Sequence, residues 1–340
     1  MTPARNPTRT LPLPALISLF VVAAVLLGTA PYYADDGTLR LVSEICLVIA
    51  MAQMWNLLSG FTGLLSFGHQ AFVGIGAYAA FAVSNGFGLS PYISLLAAPI
   101  AAGVAAAIFA TVLFRLRDAY FAISIWVVAE VLAIAVSKVP GFGGQLGMTL
   151  TSIRGLDFAT FLRNTFWISG SVALGSIALC LFVLRSDLGL GLGAVRNNET
   201  AARSLGIDAW RMRFVVLVIS GAGVGLAGAV YFMSSLQVVP SAAFDLNWMV
   251  MMLFITIIGG IGRIEGPLIG AAIYFGMREF FADYGGWYLV ATGAVGVVVM
   301  LLAPQGLWGL VERLTGVELF GLRRKIPDHL SRTDGKPQRS

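Results

Sequence analysis

Long apolar stretches alternate with short polar ones along most of the chain. Ten of them are candidate bilayer-spanning helices, at roughly 12–31, 39–58, 61–85, 91–114, 119–137, 165–184, 214–236, 247–262, 266–282 and 287–304. A hydrocarbon core about 30 Å thick needs about 20 apolar residues in helical form. Within lipid the backbone must satisfy its own hydrogen bonds, so these runs are expected to be helices, and the alternating pattern of a β-barrel is absent. The expected fold class is all-α, a polytopic membrane protein with a cytoplasmic N-terminus over 1–11, a transmembrane domain over 12–310 and a cytoplasmic, terminally disordered tail over 311–340. The first run follows Arg5 and Arg9 but ends in Pro31-Tyr32-Tyr33, not a small-residue cleavage site, so it reads as a retained helix.

Three stretches interrupt the apolar pattern. Asn56 to Gln70 places glycines, Ser59, Thr62, Ser66 and His69 at membrane depth. The segment of about 138–164 is a glycine-containing outer loop. Gly259 to Pro267 is a second glycine-rich turn. The first and third are each followed by a Gly-Ala-rich helix bearing Tyr78 or Tyr274, a faint trace of an internal repeat.

Charge then orients the helices. Of 22 Lys and Arg, five (Arg40, Lys138, Arg154, Arg163 and Arg278) fall in the outer set if the N-terminus is cytoplasmic, and the other 17 fall inside. That imbalance supports an even number of spans with both ends in the cytoplasm. With 58% hydrophobic and 11% charged residues, against about 25% charged in soluble domains, a soluble enzyme is excluded. Mean hydropathy is +0.85. The net charge of +5 carries no nucleic-acid motif with it. Cys46 and Cys180 lie inside apolar runs, and His69 and His329 are isolated, so neither a disulfide nor a metal centre is expected.

The longest polar interruption between spans is the inner loop of about 185–213. Asn197 or Asn198 can cap a short helix, Glu199 suits its first turn, and Gly206 suits its end. Ala201, Ala202 and Leu205 share one face by spacing. The element reads either as a docking helix for a partner or as an amphipathic helix on the membrane surface. The segment resembles the coupling loop of ABC importer permeases. In that alignment Thr200 takes the place of the loop's glutamate and Glu199 stands one residue earlier. The runs Trp55–Gly60, Leu65–Tyr78, Ala194–Gly206, Ser220–Gly228 and Gly259–Gly270 resemble the branched-chain amino-acid permeases, over about residues 15–310.

The resemblance implies a second permease chain, two ATP-binding subunits and a periplasmic substrate-binding protein in an inner membrane. It implies leucine, isoleucine or valine as cargo, with urea or short amides as the alternative. The coupling residues would be Glu199, Thr200, Ala201, Ala202, Leu205 and Gly206. This chain has no phosphate-cradling Gly-x-x-x-x-Gly-Lys motif, so no cofactor is expected in it, and ATP and magnesium would sit on the partners. Candidate path residues are Gln53, Asn56, Ser66, His69, Gln70 and Glu130, polar groups at membrane depth. For each, the alternative is a structural hydrogen bond or tight packing. An ion-coupled carrier would rest on Glu130 alone and leave the inner loop without a role. An intramembrane enzyme would need a nucleophile–base pair that the scattered serines and His69 do not outline.

Overall fold

The computed structural model describes residues 9–10, 13–116, 118–153, 157–281, 287–303, 305–315, 317–318 and 320. The segments 1–8 and 321–340, which carry most of the two expected cytoplasmic ends, lie outside them. Fifteen helices follow in order: α1 (Leu13–Thr29), α2 (Asp36–Thr62), α3 (Gln70–Phe87), α4 (Pro91–Ser94), α5 (Ala97–Leu113), α6 (Asp118–Lys138), α7 (Phe158–Arg185), α8 (Asp187–Asn197), α9 (Glu199–Ser204), α10 (Ala209–Ser234), α11 (Pro240–Ala243), α12 (Leu246–Gly259), α13 (Gly266–Phe280), α14 (Trp287–Leu302) and α15 (Gly306–Thr315). Three 3-10 turns (Ala30–Tyr32, Pro140–Phe142 and Gly144–Leu146) and four two-residue strands accompany them: β1 (Arg9–Thr10), β2 (Met148–Thr149), β3 (Gln237–Val238) and β4 (Val317–Glu318).

Every expected span appears as a helix, with corrected ends. Among the described residues, eight helical stretches are long and apolar enough to cross a membrane. Two of the ten expected spans, α3 and α13, are not among them. α13 has 15 residues, about 22 Å at 1.5 Å per residue, less than a full hydrocarbon core. The span expected from residue 61 starts at Gln70, because Gly63 turns left-handed (φ 75°) and ends α2. α7 starts at Phe158, where the Asp157 carboxylate accepts the Thr160 N–H. α10 starts at Ala209, capped by Asp208. α15 runs across residue 310, so helix continues into the segment read as tail.

Small residues set the packing. α10 lies against α3, α5 and α2, and α7 packs against α2 and also touches α10. A Cβ on Gly76 would collide with the Gly225 carbonyl, and one on Gly228 with the Val73 backbone. Such close backbone approach is how membrane helices gain dispersion contact where lipid offers no hydrophobic drive. The centre of the core is Met51, Met54, Trp55, Phe72, Leu217 and Val224, all at most 1% exposed. The outer helices turn apolar side chains outward, including Val21, Val25 and Leu26 on α1, Val104 and Ile108 on α5, and Val127, Val131 and Ile134 on α6. A water-facing surface of that kind is avoided; a lipid- or protein-facing one is expected.

Contacts between connecting segments sort into two ends. At one, β2 pairs antiparallel with β3, and the Asn85 carboxamide bonds the Thr149 carbonyl and the Thr151 amide. At the other lie α8, α9, the turns at Gly63 and Gly262, and the 114–116 turn. β1 pairs in parallel with β4, which brings Arg9–Thr10 beside Val317–Glu318.

Candidate functional site

The inner loop forms two consecutive helices. Asn198 separates α8 from α9 and its side-chain oxygen accepts the Ala201 N–H at 3.0 Å. At the other end Gly206 has φ 82°, and the Ile207 N–H returns to the Ala202 carbonyl at 3.0 Å. Only a residue without a Cβ takes that left-handed position at no cost. Glu199 is held between Arg203 (2.5 Å) and Arg213 (2.9 Å). The expected shared face is corrected. Ala202 is 1% exposed and packs under α9 against Val195 and Ala209. Thr200 and Ala201 are exposed, and Leu205 is 79% exposed. Six residues make less than two turns, so spacing alone does not fix which side points inward.

The first glycine break is a non-helical segment partly enclosed by protein: Leu64, Ser66, Gly68 and His69 are buried, while Gly63 and Leu65 are exposed; irregular backbone is tolerated where protein covers it. Its polar groups find side-chain partners. Trp55 Nε1 donates to the Ser66 carbonyl at 2.9 Å, and Thr62 Oγ1 accepts the Leu64 N–H at 3.2 Å. His69 is fully buried between two hydroxyls, with Nδ1 to Ser66 Oγ and Nε2 to Ser220 Oγ, both 2.8 Å. The Ser220 hydroxyl spends its proton on the Met54 carbonyl at 2.7 Å. It therefore accepts from Nε2–H, and Ser66 donates to Nδ1. His69 thus ties the break to α10 and, through Ser220, to α2. Fully buried, the serine–histidine set clamps the break to the two helices.

The second break is held by Asn56. Its Nδ2 donates to the Arg263 carbonyl at 2.7 Å, and its Oδ1 accepts the Gly262 N–H at 2.8 Å. One carboxamide so satisfies both polar groups of the turn. Gly60 touches Gly262 there, and Arg196 from α8 lies against both Gly262 and Gly63. Arg263 and Glu265, two residues apart in this turn, are not paired with each other. Arg263 pairs with Glu312 at 2.5 Å, and Glu265 accepts the Phe320 N–H at 3.0 Å. Glu44 and Arg278 form a two-bond ion pair at 2.7 and 3.0 Å.

Gln53 and Gln70 are also fully buried, and their carboxamides make no hydrogen bond. Glu130 differs from the other five candidate path residues. It lies near the middle of α6 on the exposed side and accepts from Trp126 Nε1 at 3.1 Å. Sequence reading missed Ser220 and Arg196 as partners of the breaks; Ser220 sits 151 residues from His69, and Arg196 lies far along the chain from both turns it meets, with no local signal. Among the described residues no cluster of His, Cys, Asp or Glu is fit to hold a metal.

Comparison with known proteins fixes the class. The family described as branched-chain amino acid transport system permease component matches residues 37–304. The chain belongs to that family. It is a membrane-spanning permease subunit of an ABC importer, a transport component. It is similar to the high-affinity branched-chain amino acid permease protein LivM of Escherichia coli K12, at 28% identity over 85% of this chain and 74% of the relative. It is 27% identical to a probable branched-chain amino acid permease protein LivH of Methanocaldococcus jannaschii, over 78% of this chain and 87% of the relative. A guanosine permease protein, NupQ of Bacillus subtilis, is 26% identical over 72% of the chain and 80% of the relative. No solved structure matches the chain.

Proposed function

We propose that this permease subunit, paired with a second related permease chain, imports branched-chain amino acids across a bacterial inner membrane with both of its ends in the cytoplasm. Two ATPase subunits dock on the α8–α9 loop, hydrolyse ATP with magnesium and drive the cycle. A periplasmic binding protein delivers the substrate. The names of the LivM and LivH relatives support leucine, isoleucine and valine over the alternative, urea or short amides, which none of the three relatives carries in its name.

The observation that carries the path is the contrast in burial. Gln53, Asn56, Ser66, His69 and Gln70 are each 0% exposed, so they belong to packing in this conformation. Glu130 faces outward near mid-helix. A carboxylate at that depth is costly against lipid and is expected to face protein or a water-filled cavity. The path therefore runs along the outer face of α6, between the two permease chains. A mostly apolar wall with one carboxylate and the Trp126 dipole suits a zwitterion whose selection is made by the binding protein.

The test is ATP-driven uptake of leucine and of urea by the reconstituted complex, with Glu130→Gln beside the parent. Leucine uptake without urea uptake is expected, and the variant should slow uptake well beyond any drop in inserted protein. Equal uptake per inserted molecule would return Glu130 to a structural role.

A further inference from the structure

A cavity of about 470 Å³ opens at the same end as the α8–α9 loop, between that loop and the turn joining α5 to α6. Arg115, Leu116, Glu199, Arg203, Trp210 and Arg213 are among the residues that line it. Its charge is unbalanced. Glu199 serves Arg203 and Arg213 together, while Arg115 has no ion pair among the described residues. Three guanidinium groups against one carboxylate leave a net charge of +2. Arg213 Nε is buried and donates to nothing. The site is therefore short of an anion with several acceptor oxygens.

The neighbouring surface says where that anion comes from. Ile100, Val104, Ile108 and Val112 of α5 recur every fourth residue and are 57–67% exposed. The same spacing ends on Leu116, which lines the cavity. From Ile100 to the end of α5 this apolar track runs about 20 Å at 1.5 Å per residue, longer than one leaflet's share of a core about 30 Å thick. Trp210, stacked on Phe214 at 5.0 Å, marks the depth of the headgroups, where tryptophan concentrates.

We propose that this cavity binds the phosphate of an anionic phospholipid of the inner leaflet, whose acyl chain lies along the α5 track. Basic pockets between helices on the cytoplasmic side suit such headgroups. The Glu199 carboxylate borders the site and holds two of the guanidiniums in place, so the lipid is fixed beside the helix that docks the ATPase. The proposal rests on the permease reading only for which leaflet supplies the lipid.

The test counts lipids on the purified importer complex by native mass spectrometry. The complex is placed in phosphatidylcholine nanodiscs with increasing phosphatidylglycerol. One tightly held phosphatidylglycerol per copy of this chain is expected. Arg115→Gln should weaken it about fivefold, the worth of one basic residue at an anionic surface, and Arg115→Lys should keep most of the binding. Unchanged affinity in Arg115→Gln would overturn the site. Displacement of the lipid by inorganic phosphate at equal concentration would overturn the lipid source and leave a soluble phosphate as the occupant. Loss of the ATPase subunits from Arg115→Gln, with the lipid retained, would make the cavity a protein contact and refute the proposal. Lipid counting does not depend on transport, so failure here and failure of the transport reading are separate results.

Discussion

Leu205→Ala is the sharpest test of docking, because Leu205 contributes to an interface and little to the fold. Burying a leucine side chain is worth about 1.5–3 kcal/mol. Leu205 is 79% exposed, so most of that remains to be gained when a partner covers it. Alanine keeps one of the four side-chain carbons, so the loss on docking is about 1–2 kcal/mol, or about 5- to 30-fold in affinity for the ATPase subunit. The assay is a titration of the permease in nanodiscs with purified ATPase, followed by the ratio of ATP hydrolysed to leucine moved. The thermal midpoint of the permease should stay close to the parent's. Ala202→Leu is the contrast. That side chain is enclosed by Val195 and Ala209, and overfilling such a site costs about 1–3 kcal/mol of folding stability. Unchanged ATPase affinity and coupling in both Leu205→Ala and Leu205→Asp would refute the docking role of α9.

Other outcomes follow from contacts inside the core. Asn56→Leu leaves the Gly262 N–H and the Arg263 carbonyl unpaired, about 1–3 kcal/mol for each buried group, and should lower the thermal midpoint of the inserted protein by several degrees. Arg278→Met strands Glu44. The pair is about a third exposed, so the cost is nearer 1–2 kcal/mol than the 3–5 of a fully buried pair, and the exchange Glu44→Arg with Arg278→Glu should restore part of it in a denaturation series. Gly76→Val drives a side chain into the Gly225 carbonyl and should reduce recovery of folded protein in detergent, which gel filtration reads directly.

Local features were legible in the sequence and distant pairings were not. The apolar runs, the Asn198 cap, the Gly206 terminus and both glycine breaks follow from periodicity and turn chemistry within a few residues. The break at Gly63 ends α2 through backbone that glycine alone favours, yet the apolar residues flanking it predict a helix from residue 61. Partners lay beyond reach. Asn56 meets Gly262 across 206 residues, His69 meets Ser220 across 151, and Arg278 meets Glu44 across 234. Nothing in the residue types names these partners, since several polar groups at similar depth were open to each. Glu130 was recognised by its depth, but its outward face depends on which side of α6 packs inward, and α6 is apolar nearly all round.

The breaks and the docking loop form one mechanical chain. α9 is fixed at both ends, by Asn198 and by Gly206, and α8 leads from it to Arg196, which touches the Gly63 and Gly262 turns together. Gly262 is bonded to Asn56 of α2, and α2 is bonded through Met54 and Ser220 to His69 of the first break. The links are hydrogen bonds, the contact of the Arg196 side chain with the two turns, and the close approach of Gly60 to Gly262. The left-handed glycines are the pliant points, since they change φ and ψ at low cost. Under the proposed docking of an ATPase pair, a pull on α9 would reach α2 and α12 through these contacts, with Gly63 and Gly262 as the joints that bend. That would place the moving joints at the loop-facing ends of α2 and α12, next to the turn that the Asn56 carboxamide holds.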